Sequence, residues 1–284
     1  MLPGHKHIQQ DVRVVLEEDV GSGDLTASLV PQDKQIQARV VCREQAVVCG
    51  IAWFNEVFTQ LDPDVEVDWD VLDGDTMLPE QEICRLRGRA ASILTGERSA
   101  LNLLQTLSGT ATVTSTYVKA VAGTDATILD TRKTIPGLRL MQKYAVLCGG
   151  GKNHRKGLYD AILIKENHIL AAGSITAALQ QAQETSRGVE IEVEVENLSQ
   201  LAEALEAGAK RVLLDNFELD NLRQAVEQNA GRARLEASGG VNLDTVRGIA
   251  ETGVDDISVG ALTKDLHAVD LSLRFGNSTL PLGR

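Results

Sequence analysis

The sequence predicts a mixed α/β protein, with an α+β region over the first hundred or so residues and then an α/β barrel of fewer than eight obvious strands. Three observations carry this. Six short apolar runs alternate with helix-like segments between residues 126 and 260, the grammar of a parallel sheet with crossover helices. No crossover is unusually long, as expected where each strand pairs with its predecessor around a barrel. Most of the runs end in polar or glycine residues, the end at which barrel enzymes place their chemistry.

Taken in order, residues 6–19 suggest a helix, and residues 36–49 suggest two strands around a polar turn at Arg43–Gln45. Ile51 to Leu61 is apolar at helical spacing, VEVDWDV (65–71) alternates like a strand, and QEICRLRGRAASIL (81–94) reads as extended. A long helix is expected from Thr95 through Val121, with Glu97, Arg98 and Asn102 interrupting small or apolar residues. The repeats then run ATILD (126–130) with helix 137–147, AILIK (161–165) with 172–186, and EIEVEVE (190–196) with 198–207. RVLLD (211–215) is followed by helix 218–229, LEASG (235–239) by 243–251, and DISVG (256–260) closes the series. The tail 270–284 alternates like a strand and could return to the first domain.

Composition narrows the function. The chain is acidic, at −12, yet Arg132 to Lys165 holds eight Lys/Arg (Arg132, Lys133, Arg139, Lys143, Lys152, Arg155, Lys156, Lys165) and His154 against one acid, Asp160. A concentrated cationic site on an acidic body suits small polyanions and argues against nucleic acid. An aromatic content of 3% removes the stacking platforms of a single-strand binder. Mean hydropathy is −0.08, and no run is long enough to span a bilayer. Neither an N-terminal apolar leader nor a CxxC pairing is present, so Cys42, Cys49, Cys84 and Cys148 read as reduced packing thiols of a cytoplasmic protein.

The strand ends supply candidate site residues: Asp130-Thr131-Arg132-Lys133, Lys165-Glu166-Asn167-His168, Glu192/Glu194/Glu196, Asp215-Asn216, Ser238-Gly239-Gly240 and Ser258-Val259-Gly260. In the third strand Glu190, Glu192, Glu194 and Glu196 share one face and Ile191, Val193 and Val195 the other. In a barrel the glutamates point inward and need partners, which Lys165, Arg132 or a metal would supply; an edge strand with solvated glutamates is the competing reading. The two Ser/Gly turns suit phosphate capture by backbone N–H groups and a following helix N-terminus. Gly149-Gly150-Gly151-Lys152 lacks the hydroxyl residue and spacing of a P-loop and reads instead as a loop carrying Lys152, His154 and Arg155 over a site. Lys165 is open between Schiff-base nucleophile, partner of Glu194 and substrate clamp. His154 and His168 are open between site and structural roles, as is Arg98 between a structural ion pair and a neighbouring subunit's site.

At GERSALN (96–102), LDTRKTIPGLR (129–139), GGGKNHRKGLYD (149–160), ILIKENH (162–168), EVEVE (192–196), LLDN (213–216), SGG (238–240) and SVGALTK (258–264) the chain resembles the quinolinate phosphoribosyltransferase family. GSGDLT (21–26) and DLSLRF (270–275) are also similar. The resemblance implies an N-terminal α/β sandwich (α+β) domain over 1–108, joined by the tail 270–284, and an incomplete TIM-like α/β barrel over 109–269. It implies transfer of phosphoribosyl from phosphoribosyl pyrophosphate (PRPP) to quinolinate with decarboxylation, with Mg2+ and no organic cofactor. Carried over by position, Arg132, His154, Arg155 and Lys165, with Arg98 from a partner subunit, would hold quinolinate. Lys133, Glu194, Asp215, Ser238, Gly239, Gly240, Ser258, Gly260 and Lys264 would meet PRPP. Lys165, Glu194 and Asp215 would be catalytic, and Glu194 and Asp215 would face Mg2+. The assembly implied is a homodimer, extending up to a hexamer. Competing readings are a nicotinate-type or molybdenum-associated paralogous transferase, a Schiff-base aldolase using Lys165, and a non-catalytic phosphate-binding protein.

Overall fold

The computed structural model describes residues 1–31, 33–186 and 188–276, and the chain divides into two compact units. The first comprises Met1–Val113, Leu147–Gly149 and the chain from Leu266 on; the second comprises Thr114–Val146 and Gly150–Asp265.

The first unit is built on an antiparallel sheet in the order β12-β1-β5-β3, with β1 Gln35–Cys42, β3 Glu66–Trp69, β5 Glu82–Arg89 and β12 Leu271–Phe275. Alternation decides which side is covered: Ala38 and Val40 of β1 and Leu86 of β5 are buried, whereas Arg39, Arg85 and Arg87 are exposed. Helices α1 (His5–Asp19) and α2 (Ile51–Leu61) belong to the same unit. Ile8, Val12 and Leu16 form the buried stripe of α1, at the spacing of one helical face. Trp69 of β3 stands edge-on to Phe54 of α2, with ring centroids 5.1 Å apart.

The two strands expected over 36–49 do not pair with each other. β1 pairs with β5 and β12, whereas β2 (Ala46–Val47) pairs with β4 (Thr76–Met77). The extended reading of 81–94 holds only to Arg89. There the long helix α3 (Ala90–Ala120) begins, as Ala90-Ala91 favour helix. Asp62, just past α2, locks this corner: its carboxylate accepts from Arg89 Nε (2.8 Å), Ser92 Oγ (2.6 Å) and the Asp64 N–H (3.2 Å).

The second unit is a six-stranded parallel sheet, β6-β11-β10-β9-β8-β7. The strands are β6 Thr127–Leu129, β7 Ala161–Ile164, β8 Glu190–Val195, β9 Arg211–Asp215, β10 Arg234–Ser238 and β11 Asp256–Ser258. The intervening helices are α4 Arg139–Cys148, α6 Ile175–Thr185, α7 Leu198–Glu206, α8 Leu219–Asn229 and α9 Val246–Ala250. Two short helices flank strand ends, α5 (Glu166–Ala172) after β7 and α10 (Ala261–Lys264) after β11. The helix expected over 172–186 is thus preceded by a separate one, ended by Gly173 at φ +92° and restarted by Ser174, whose side chain accepts from the Ala177 N–H.

Predecessor pairing fails at one place. β6 pairs with β11 and not with β7, so the barrel has a seam between β6 and β7. Residues 151–153 run along β6 instead: the Lys152 N–H donates to Ile128 O (2.9 Å) and the Asp130 N–H to Lys152 O (3.2 Å). Gly151 makes this approach possible, because a Cβ there would stand 2.9 Å from Val146 Cγ1 and 3.0 Å from Thr114 Cγ2. The expected terminal strand is Leu271–Phe275, beside β1; residues 277–284 lie outside the described residues.

The Asp62 carboxyl is held low, at about 2, chiefly by the Arg89 guanidinium. Its contribution is therefore complete above pH 3.8 and lost as the pH falls toward 2. Asp62→Asn is expected to destabilise the protein by about 1–3 kcal/mol in urea unfolding at pH 7, and the difference should vanish below pH 2.

Candidate active site

The carboxyl ends of the barrel strands surround a cavity of about 460 Å³. From the β6 end come Thr131, Arg132 and Lys133; from β7 Lys165; from β8 Glu194; from β9 Asp215 and Asn216. Ser238, Gly239 and Gly240 after β10, Ser258 of β11, and His154 and Arg155 of the seam complete the polar wall, with Glu236 of β10 below them. Arg132 Nε is buried without a hydrogen-bond partner, a donor set toward an anion. Lys165 Nζ reaches Glu194 at 2.5 Å, so the partnership expected from the sequence forms. The Lys165 N–H donates to His168 Nδ1 (2.9 Å), which accounts for His168 as the brace of the first turn of α5.

The glycine turns behave differently from one another. Gly239 and Gly240 both take left-handed backbone, φ +97° and +60°. A Cβ on Gly239 would lie 2.1 Å from Asn216 Oδ1, so the β9 and β10 ends interlock there. The expected helix N-terminus does not follow directly, because the chain turns again through Asn242 before α9 begins at Val246. Gly260 lies against the Lys133 side chain, and Lys264 ends α10 near Asp265. Arg98 is exposed on α3, in the first unit.

The seam is held by a buried ion pair. Asp130, just past β6, pairs with Lys143 of α4, both almost fully buried. Asp130 also accepts from Asn153 Nδ2 (2.6 Å) and the His154 N–H (2.9 Å), while Lys143 donates to His154 O (3.0 Å). Burial pushes the Asp130 carboxyl up and the Lys143 ammonium down, each opposed by the other's charge. Of the cations between Arg132 and Lys165, Lys143 is thus internal, and Arg139 braces the loop through Thr134 Oγ1 (3.2 Å).

Beneath the cavity lies an ionic layer that the sequence reading missed. Glu192 is buried as expected of an inward glutamate, but its side-chain partners are neither Lys165 nor Arg132: they are His154 Nε2 (2.7 Å) and Arg211 Nε (2.9 Å). Arg211 Nη2 also meets Glu236 (2.6 Å) and Asp256 (2.9 Å), and Arg234 clasps Asp256 through two bonds of 2.6 Å. Arg211, Arg234 and Asp256 are the first residues of their strands. A polar residue opening an apolar run was the available signal.

Burial opposes charge throughout this layer. The carboxylates outweigh it at Arg211 and hold the guanidinium firmly charged. Burial also raises Glu192, but His154 and Arg211 bring it below the usual carboxylate range. Burial and the neighbouring Glu192 push Glu236 up to about 7. Burial lowers His154, while Glu192 and Glu236 leave its pKa raised overall. The ring's Nδ1 accepts the Arg155 N–H (2.7 Å), which fits a ring with its proton on Nε2.

Because the folded pKa of Glu236 is raised above 4.5, its contribution to stability is present below pH 4.5 and is lost as pH rises through about 7. Glu236→Gln should remove a slope worth up to about 3 kcal/mol across that window, read from chemical unfolding at stepped pH.

Comparison with known proteins gives a consistent result. Residues 24–108 match the N-terminal domain of quinolinate phosphoribosyl transferase, and residues 110–274 match its C-terminal domain. A probable nicotinate-nucleotide pyrophosphorylase (carboxylating) of Bacillus subtilis is 42% identical over 257 residues, covering 90% of this chain and 89% of its own. Quinolinate phosphoribosyltransferase (decarboxylating) 1b of Nicotiana tabacum is 40% identical over 295 residues, covering 96% of this chain and 84% of its own. The structure of the nicotinate-nucleotide pyrophosphorylase from Francisella tularensis superposes with a TM-score of 0.93 at 45% identity, covering 96% of this chain and 98% of that one.

Proposed function

Because the chain belongs to the quinolinate phosphoribosyltransferase family, we propose that it transfers phosphoribosyl from PRPP to quinolinate with loss of CO2, giving nicotinate mononucleotide and pyrophosphate. The observation that carries this is the gathering of Arg132, Lys133, Arg155 and Lys165 around one cavity that also holds Glu194 and Asp215. Both substrates are polyanions, and arginine's planar fork matches a carboxylate. Arg132, Arg155 and Lys165 hold the two quinolinate carboxylates, and His154 supports Arg155. Lys133 meets PRPP, and Ser238, Gly239, Gly240, Ser258, Gly260 and Lys264 take its 5-phosphate.

Loss of pyrophosphate builds positive charge on the ribose, which Glu194 and Asp215 stabilise. The same two carboxylates are hard oxygen donors, and one or two such groups are the usual protein share of a Mg2+ site completed by phosphates. They fit that ion, which when bound would neutralise the leaving pyrophosphate. After transfer the pyridinium nitrogen stabilises the electron pair left by departing CO2, a proton from solvent then completes the ring C–H bond, and no general base is assigned.

Exposed Arg98 reaches a partner subunit's site in a homodimer, as part of the same reading. No helix among the described residues is long and apolar enough to cross a membrane. A cytoplasmic location completes the reading, supported by Cys42, Cys49 and Cys84 as buried thiols.

Incubation with quinolinate, PRPP and Mg2+ should release CO2 and mononucleotide, and Arg132→Ala or Lys165→Ala should lower kcat/KM by about a hundredfold or more. Turnover of nicotinate but not quinolinate would overturn the substrate assignment, and near-normal turnover in either variant would overturn the clamp. Mixing Arg98→Ala subunits with Lys165→Ala subunits should restore part of the activity, and no recovery would count against a shared site.

A further inference from the structure

Arg211 contributes nothing to the cavity wall, yet it holds the strand glutamates that hold the cavity's histidine. Its side chain is only 12% exposed, and its guanidinium gathers Glu192 of β8, Glu236 of β10 and Asp256 of β11. Glu192 then fixes His154 Nε2 at 2.7 Å, and Glu236 stands 3.6 Å from the same nitrogen. On the other side of the ring, Nδ1 receives the Arg155 N–H at 2.7 Å. Arg155 has few other restraints: its guanidinium makes a long 3.5 Å contact to Ala161 O. Burial, and after it the neighbouring Arg132 cation, disfavour the charge of the Arg155 guanidinium. Such a side chain needs its backbone placed from outside.

We infer that Arg211 is a positioning residue for the dicarboxylate substrate, acting through Glu192 and His154 to set the backbone from which Arg155 enters the cavity. The inference rests on the quinolinate reading of the site. Arg211 binds no substrate atom. It neutralises a set of carboxylates that would otherwise repel one another, and so keeps Glu192 where the His154 ring must stand. From β9 the same guanidinium ties together four adjacent strands, β8 to β11, so the register of the ring is tied to the sheet and not to the loop that carries it.

A double-mutant cycle tests this, with quinolinate binding measured by calorimetry beside steady-state kinetics. Arg211→Met is expected to weaken quinolinate binding about tenfold or more while the KM for PRPP moves by less than about twofold. In an Arg155→Met background the same substitution should cost almost nothing, because the residue it acts through is gone. Arg211→Lys should restore part of the loss. Should Arg211→Met fail to fold, Glu192→Gln, which breaks the chain one link later, enters the same cycle with the same expected non-additivity. Equal losses for both substrates, or losses that add in the Arg155→Met background, would overturn the inference. Failure of the unmutated protein to bind quinolinate would overturn the functional reading instead, so the two failures are distinguishable.

Discussion

The buried pairing of Asp130 with Lys143 is the constraint on which the site depends. A six-stranded barrel leaves backbone groups of β6 without a strand partner, and unpaired groups inside a protein are costly. Residues 151–153 cover that edge, and the Asp130 carboxylate holds Asn153 and the His154 amide beside it. Neither charge could be buried alone, since an isolated one costs several kcal/mol. Together they bring the end of β6, helix α4 and the His154-Arg155 segment into one register. The open seam is thus the place from which two of the cavity's basic side chains arrive.

Much of this was legible in the sequence, and the legible part has a common physical origin. The strand period of two placed Glu192 and Glu194 inside the barrel, and the rule that chemistry gathers at carboxyl ends brought Arg132, Lys165, Asp215 and Ser238 to one cavity. What escaped notice was specified by distant parts of the chain. Arg211, Glu236 and Asp256 come from different strands and meet only when the sheet forms. Their pairing leaves no local pattern: Arg211 and Asp256 each open a strand and alone resemble solvated strand starts, and Glu236 lies in mid-strand. Pairing of β6 with β11 was hidden for a similar reason, because strand order depends on closure and not on any one crossover. The start of α3 at Ala90 turned on a local balance between strand edge and helix preference that periodicity does not resolve.

The electrostatic organisation has two levels. The upper level is cationic and open, and faces the cavity with Arg132, Lys133, Arg155 and Lys165. The lower level is buried, with Arg211 and Arg234 set against Glu192 and Asp256, and Glu236 beside His154. Near-neutrality of the lower level matters for the upper one. A net negative floor would weaken the attraction that the cations exert on incoming anions, and low dielectric would magnify the loss. An acidic protein can in this way present a positive site without an unbalanced charge beneath it.

The pairing of β1 with β12 fixes the order of events during synthesis. Ala38 to Cys42 emerge from the ribosome long before Leu271 to Phe275, and every strand of the second unit is made between them. The first sheet therefore waits with one edge of β1 open while the six parallel strands are translated. Exposed edges of this kind invite association with other chains. A ribosome that stalls before residue 271 would release a chain whose second unit is present but whose first sheet lacks its last strand, a natural target for chaperones.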